Sequence, residues 1–78
     1  MNKEEAKDLY EGKFFYEIVK NSFDRVTLFG PFDNIRYLTY LDHYDGTDKE
    51  KYKFCQVVDG KIVETFTEDQ ILVTDRKL

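Results

Sequence analysis

A mainly β domain behind a short N-terminal α-helix is what this sequence predicts: a small five-stranded antiparallel barrel or curled sheet, SH3-like or Sm-like. Three observations predict it. Val57-Val58-Asp59-Gly60-Lys61-Ile62-Val63 sets an Asp-Gly pair, which supplies the positive-φ residues of a tight turn, between β-branched flanks. Other apolar residues alternate with polar ones or run in short aromatic and β-branched stretches. Seven Phe and six Tyr in 78 residues supply a core for a chain that buries only about 60% of its unfolded surface.

The elements follow in order. Residues 2–11 read as a helix, with Asn2 and Glu5 as a capping box, Ala6, Leu9 and Tyr10 as an apolar stripe, and Gly12 as its end. Helices under about 12–15 residues are marginal in water, so this one must dock by its stripe. Over residues 13–20 a helix would scatter Phe14, Phe15, Tyr16, Ile18 and Val19 around its axis, whereas these residue types suit a strand. Residues 21–24 make a turn and 25–29 a second strand. Gly30-Pro31 ends that strand or bends it at a sheet edge, because proline has no N–H for a ladder. Residues 35–41 form a third strand, and the polar stretch 42–50 is the main loop. Residues 51–58 and 61–66 pair as the hairpin, 70–73 is a last short strand, and 74–78 a tail. With no repeat or linker, residues 1–78 make one domain, of which 13–73 is the β part.

The hairpin register decides which side chains face inward. A two-residue loop sets Val57 opposite Ile62, Cys55 opposite Glu64 and Lys53 opposite Phe66. A three-residue loop, Val58-Asp59-Gly60, sets Tyr52 opposite Phe66, Phe54 opposite Glu64 and Gln56 opposite Ile62. The second is preferred, since it gathers Tyr52, Phe54, Ile62 and Phe66 on one face.

Composition narrows the function classes. A lone cysteine, Cys55, excludes an internal disulfide and points to a reducing, cytoplasmic setting. No apolar run follows the charged start Met1-Asn2-Lys3-Glu4-Glu5, so neither a signal peptide nor a membrane span is expected. Sixteen acids against twelve bases give a charge of −4, a sign that opposes phosphate backbones and suits a basic partner.

Each candidate chemistry has an ordinary counterpart. Asp42, Asp45 and Asp48 around Gly46 suggest calcium, but acids three apart miss the alternating spacing and closing Glu of a calcium loop, so they read as solvated turn residues. His43 has no identifiable partner, and Cys55, mid-strand between Phe54 and Gln56, reads as a packed thiol. No nucleophile, base and acid fall into a motif, and no metal or cofactor is expected; the chain reads as a non-enzyme. Lys49, Lys51 and Lys53 alternate with Tyr52 as in a nucleic-acid stripe. Lysines also guard sheet edges, and Glu50 interrupts the positive field, so nucleic-acid binding stands as the alternative.

Tyr37, Tyr40 and Tyr44 stand out. Tyr37 and Tyr40 fall on opposite faces of one strand and Tyr44 in the loop beyond, so the three do not share the core. Tyrosine offers large contact area with few torsions, which makes this strand and loop, with Asp42, Asp45 and Asp48, the expected interface. The chain is therefore expected to be a small acidic intracellular protein-binding module, a regulator or inhibitor that occupies a partner surface. A homodimer fits any of these readings.

Overall fold

The computed structural model describes residues 3–38 and 51–78. Its elements are α1 (Lys3–Tyr10), β1 (Phe14–Lys20), β2 (Val26–Phe32), β3 (Ile35–Tyr37), β4 (Phe54–Val58), β5 (Lys61–Phe66), a 3₁₀ turn (Glu68–Gln70) and β6 (Ile71–Thr74). The chain is mainly β with one short helix, as its residue types predict.

The strands do not close into a five-stranded barrel. The described residues carry six strands in two three-stranded antiparallel sheets, ordered β2-β1-β6 and β3-β4-β5. β1 is the reason: its aromatic run pairs on one side with β2 and on the other with β6, so first and last strands share a sheet. The second sheet takes β3, β4 and β5.

Between the sheets lies a core of Ala6, Phe15, Ile35, Tyr37, Phe54, Phe66 and Ile71, joined by Tyr10, Phe32 and Val73 at its margin. Phe54 is the hub. Its ring meets those of Tyr10 at 5.3 Å, Tyr37 at 5.8 Å and Phe15 at 6.2 Å in edge-to-face geometry, so helix, first sheet and second sheet converge on one side chain. α1 docks through Ala6 and Tyr10, whose ring stacks on Tyr37 at 5.1 Å. Leu9 departs from the expected stripe and is 51% exposed, because Ala6 and Tyr10, four apart, already span the face that fits the sheet. Gly12, at φ 79°, ends the helix as expected. Asn2 of the expected capping box lies outside the described residues.

Two bulges correct the expected registers. Asp59 and Gly60 have φ of 53° and 75°, both positive as a two-residue turn of the primed type requires, so Val57 pairs with Ile62. The preferred three-residue loop is not formed. The ladder then slips at Val63, placing Gln56 opposite Glu64 and Phe54 opposite Phe66. One extra residue achieves what a different loop was expected to do, since Phe54 and Phe66 both reach the core. The second bulge lies in β2, which continues past Gly30-Pro31 to Phe32. Glu17 pairs with Phe29 and Phe15 with Phe32, leaving Gly30 and Pro31 together opposite Tyr16. Proline is accommodated because β2 is an edge strand. Gly30, at φ 140°, has the Phe15 carbonyl oxygen 2.8 Å from where a Cβ would sit, so only glycine fits there.

Candidate functional site

Of the residues expected to form the partner interface, only Tyr37 is among those described. Tyr37 is 9% exposed and belongs to the core, so its ring is a packing element and not an outward anchor. Tyr40, Tyr44, Asp42, Asp45, Asp48 and Lys49 lie outside the described residues. Lys51 is exposed with its Nζ 5.0 Å above the Tyr52 ring, while Tyr52 and Lys53 are half-buried. Lys53 is held in the second sheet, its N–H donating to the Phe66 carbonyl and its own carbonyl accepting from Leu38 N–H.

The surface that stands out is the β1–β2 hairpin. Its turn is built by Asn21, whose Oδ1 accepts from the N–H groups of Phe23 at 2.8 Å and Arg25 at 3.0 Å. Asp24 N–H donates to the Asn21 carbonyl, and Asn21 N–H donates to the Arg25 carbonyl at 3.0 Å. Asp24 takes φ 60°, completing a type I turn followed by a left-handed residue, the usual three-residue hairpin loop. Asparagine and aspartate favour this geometry because their short polar side chains bond the local backbone.

This turn leaves apolar side chains in water. Phe23, at its tip, is 82% exposed, and on β2 Val26 is 59% and Phe29 50% exposed; Leu28 and Val19 are exposed beside them. Two features of the topology cause this. β2 is the edge of its sheet, and β6 pairs only with residues 14–17 of β1, so residues 18–20 and 26–28 form a two-stranded ribbon beyond the end of β6. Edge strands with an exposed apolar face are templates for pairing with another strand.

Antiparallel alternation fixes what that edge offers. The Asn21–Arg25 bond marks a hydrogen-bonded pair, so Val19 with Thr27 and Glu17 with Phe29 continue that series. Val26 and Leu28, in the intervening pairs with Lys20 and Ile18, turn their N–H and C=O groups away from β1. From Val26 to Phe32 the strand carries no charge.

A second concavity, a cleft of about 430 Å³ between α1 and the β2–β3 corner, is walled by Tyr10, Phe15, Phe32 and Tyr37 and rimmed by Lys7 and Arg36. Its basic groups are committed in part. Arg36 donates to the carbonyls of Asp33 at 2.8 Å and Ile35 at 2.9 Å, and Lys13 pairs with Asp75. Burial, aided by Tyr37 and Glu68, pushes the Tyr10 phenol above its ordinary value, which keeps it a neutral packing group. Among the described residues no three His, Cys, Asp or Glu side chains gather as a metal site, and no helix is long and apolar enough to cross a membrane.

Sequence reasoning expected both strands and the turn of this hairpin but missed its exposure, because apolar strands read as core. The signals were present: an aromatic residue at the centre of a turn, a seven-residue strand without a charge, and a Gly-Pro that marks an edge. Compared with family models, curated proteins and solved structures, the chain matches none.

Proposed function

We propose that this chain is a small acidic protein-binding module, a regulator or inhibitor that acts by occupying a partner's surface, and that it docks through the β1–β2 hairpin. The observation that carries the reading is the unguarded edge: Phe23, Val26, Leu28 and Phe29 lie exposed along one strand and its turn. Main-chain groups of Val26 and Leu28 supply affinity by strand addition, and the flanking side chains supply specificity. The acids of the rest of the surface steer the encounter with a basic partner and suppress other contacts.

Capture from the lysate of the chain's own host, after nuclease treatment, tests the reading. The tagged protein is expected to retain one stoichiometric protein partner, and a Phe23→Ser, Leu28→Lys double variant to lose it with the fold intact by circular dichroism. A Tyr40→Ala, Tyr44→Ala variant serves as the comparison. Loss only in the tyrosine variant moves the interface to the expected strand and loop. Partners that nuclease removes transfer the function to Lys49, Lys51, Lys53 and Tyr52.

A further inference from the structure

The exposed edge has the chemistry of a surface that fits itself. We infer that β2 pairs antiparallel with β2 of a second copy of this chain, about a two-fold axis through Thr27. The inference rests on the hairpin being the docking surface and names what occupies it.

Charge limits where two copies can meet. Each copy carries −4, so two copies repel over most of their surfaces. The hairpin opposes contact least: over residues 18–32 Lys20 and Arg25 exceed Asp24 by a single charge, and β2 itself has none. Area also suffices. With aromatic side chains taken at 150–250 Å² each and aliphatic ones somewhat smaller, Val19, Phe23, Val26, Leu28 and Phe29 leave roughly 500 Å² of apolar surface in water per copy. Two copies offer at most about 1,000 Å² of apolar side chain to such a contact before main chain and polar rim are counted, which reaches the threshold for a specific interface.

The register follows from the alternation. Residues that face each other across an antiparallel pair must both point their main-chain groups at the partner or both away, and on the free edge of β2 the outward residues are Val26 and Leu28. An axis through Thr27 sets Val26 opposite the second copy's Leu28 and Leu28 opposite its Val26, exchanging four main-chain hydrogen bonds. An axis through Leu28 instead sets Val26 against Gly30, inside the bulge. The Thr27 register uses only the regular part of the strand. It gathers two Val26 and two Leu28 side chains on one face, and on the other sets Phe29 against the aliphatic stem and guanidinium of Arg25, with no charge facing its like.

This geometry makes a sharp test, because the two Thr27 residues form a non-hydrogen-bonded pair. Their Cα atoms are expected about 4.5 Å apart, within the span a disulfide bridges. The native thiol, Cys55, is 0% exposed and does not compete. Sedimentation of the whole chain at about 100 µM is expected to show a dimer, with Leu28→Lys weakening it at least tenfold through one buried charge per copy. Thr27→Cys is expected to form a covalent dimer under mild oxidation, and Val63→Cys, at the exposed bulge of β5, to form none. A monomeric wild type overturns the inference, and so does a dimer that fails to cross-link at Thr27→Cys or cross-links equally at Val63→Cys. A monomer whose Leu28→Lys variant still loses a lysate partner removes the second copy while leaving the docking surface in place; a dimer whose hairpin variant keeps that partner does the reverse.

Discussion

The β4–β5 and β1–β2 hairpins both end in an edge strand, and their edges meet solvent in opposite ways. β5 carries Lys61 and Glu64 and a bulge at Val63, the charges and irregularity that blunt an edge against pairing. β2 carries no charge, and its irregular features, Gly30-Pro31 and their bulge, sit at one end and leave residues 26–29 regular. The inner strands differ in the same sense. β4 buries Phe54 and Cys55, one on each of its faces, at 2% and 0% exposure, whereas the outer half of β1 leaves the core with Val19 and Lys20 exposed. One hairpin holds the fold and guards its edge; the other is held by the fold and leaves its edge open.

The largest expected effect separates fold from surface. Phe54→Ala removes the ring on which helix and both sheets converge, and is expected to cost about 3–5 kcal/mol, a large share of the stability of a domain of this size. Phe23→Ala, the same chemical change at an 82% exposed tip, is expected to alter stability by no more than about 0.5 kcal/mol. Urea denaturation of the two variants compares them directly. Similar losses would erase the distinction between the hairpins.

Cys55 reports on the packed hairpin through pH. Burial pushes its thiol up from 9.0 to about 11, against the lowering pull of the neighbouring Arg36 charge and main-chain hydrogen bond. The folded chain therefore holds this proton to higher pH than the unfolded chain. Its contribution is complete below about pH 9 and is lost as pH climbs to about 11, a loss on the order of 2–3 kcal/mol. Tyr10, also raised, adds to the slope with the same sign, so Cys55→Ala isolates the effect of the thiol. Urea midpoints at pH 8, 9.5 and 11 are expected to fall more steeply for the wild type than for Cys55→Ala. Parallel slopes would mean that the Cys55 side of β4 is open to water.

How much of this was legible in the sequence follows from where each signal resides. The Asp59-Gly60 turn, the Gly12 stop and the Asn21 turn are local, because backbone geometry alone selects those residues. The inert thiol of Cys55 was legible from its place between apolar strand neighbours. Sheet partition was not, since the pairing of β1 with β6 joins residues far apart in the chain and leaves no short-range mark. The bulge at Val63 was hidden for a related reason: one slipped residue restores the inward face of Phe54 and Phe66, so alternation alone fits a wrong loop equally well. The exposed apolar edge was the hardest to see. Val26 and Leu28 have the residue types of a buried strand, and it is the edge position of β2 together with the end of β6 pairing at residue 17 of β1 that leaves them outside.

The smallest expected effect tests whether the open hairpin moves by itself. Asn21→Ala deletes the acceptor for the N–H groups of Phe23 and Arg25, both in exposed backbone, for about 0.5–1.5 kcal/mol each at most and less where water replaces the lost partner. Global stability is expected to change by under about 1 kcal/mol. Local opening is expected to rise by severalfold, read as faster hydrogen exchange at the main-chain amides of Val19 and Thr27, which bond across the ribbon, with those of residues 54–58 unchanged. The turn matters beyond its energy, because it sets the alternation of the ribbon. A slip of one residue there would point Val26 and Leu28 toward β1 and turn Thr27 and Phe29 to the free edge. Asn21→Ala is accordingly expected to slow Thr27→Cys cross-linking in the same chain. Accelerated exchange in β4 as well would show that the two hairpins open as one unit, and the contrast between a holding and a held hairpin would fail.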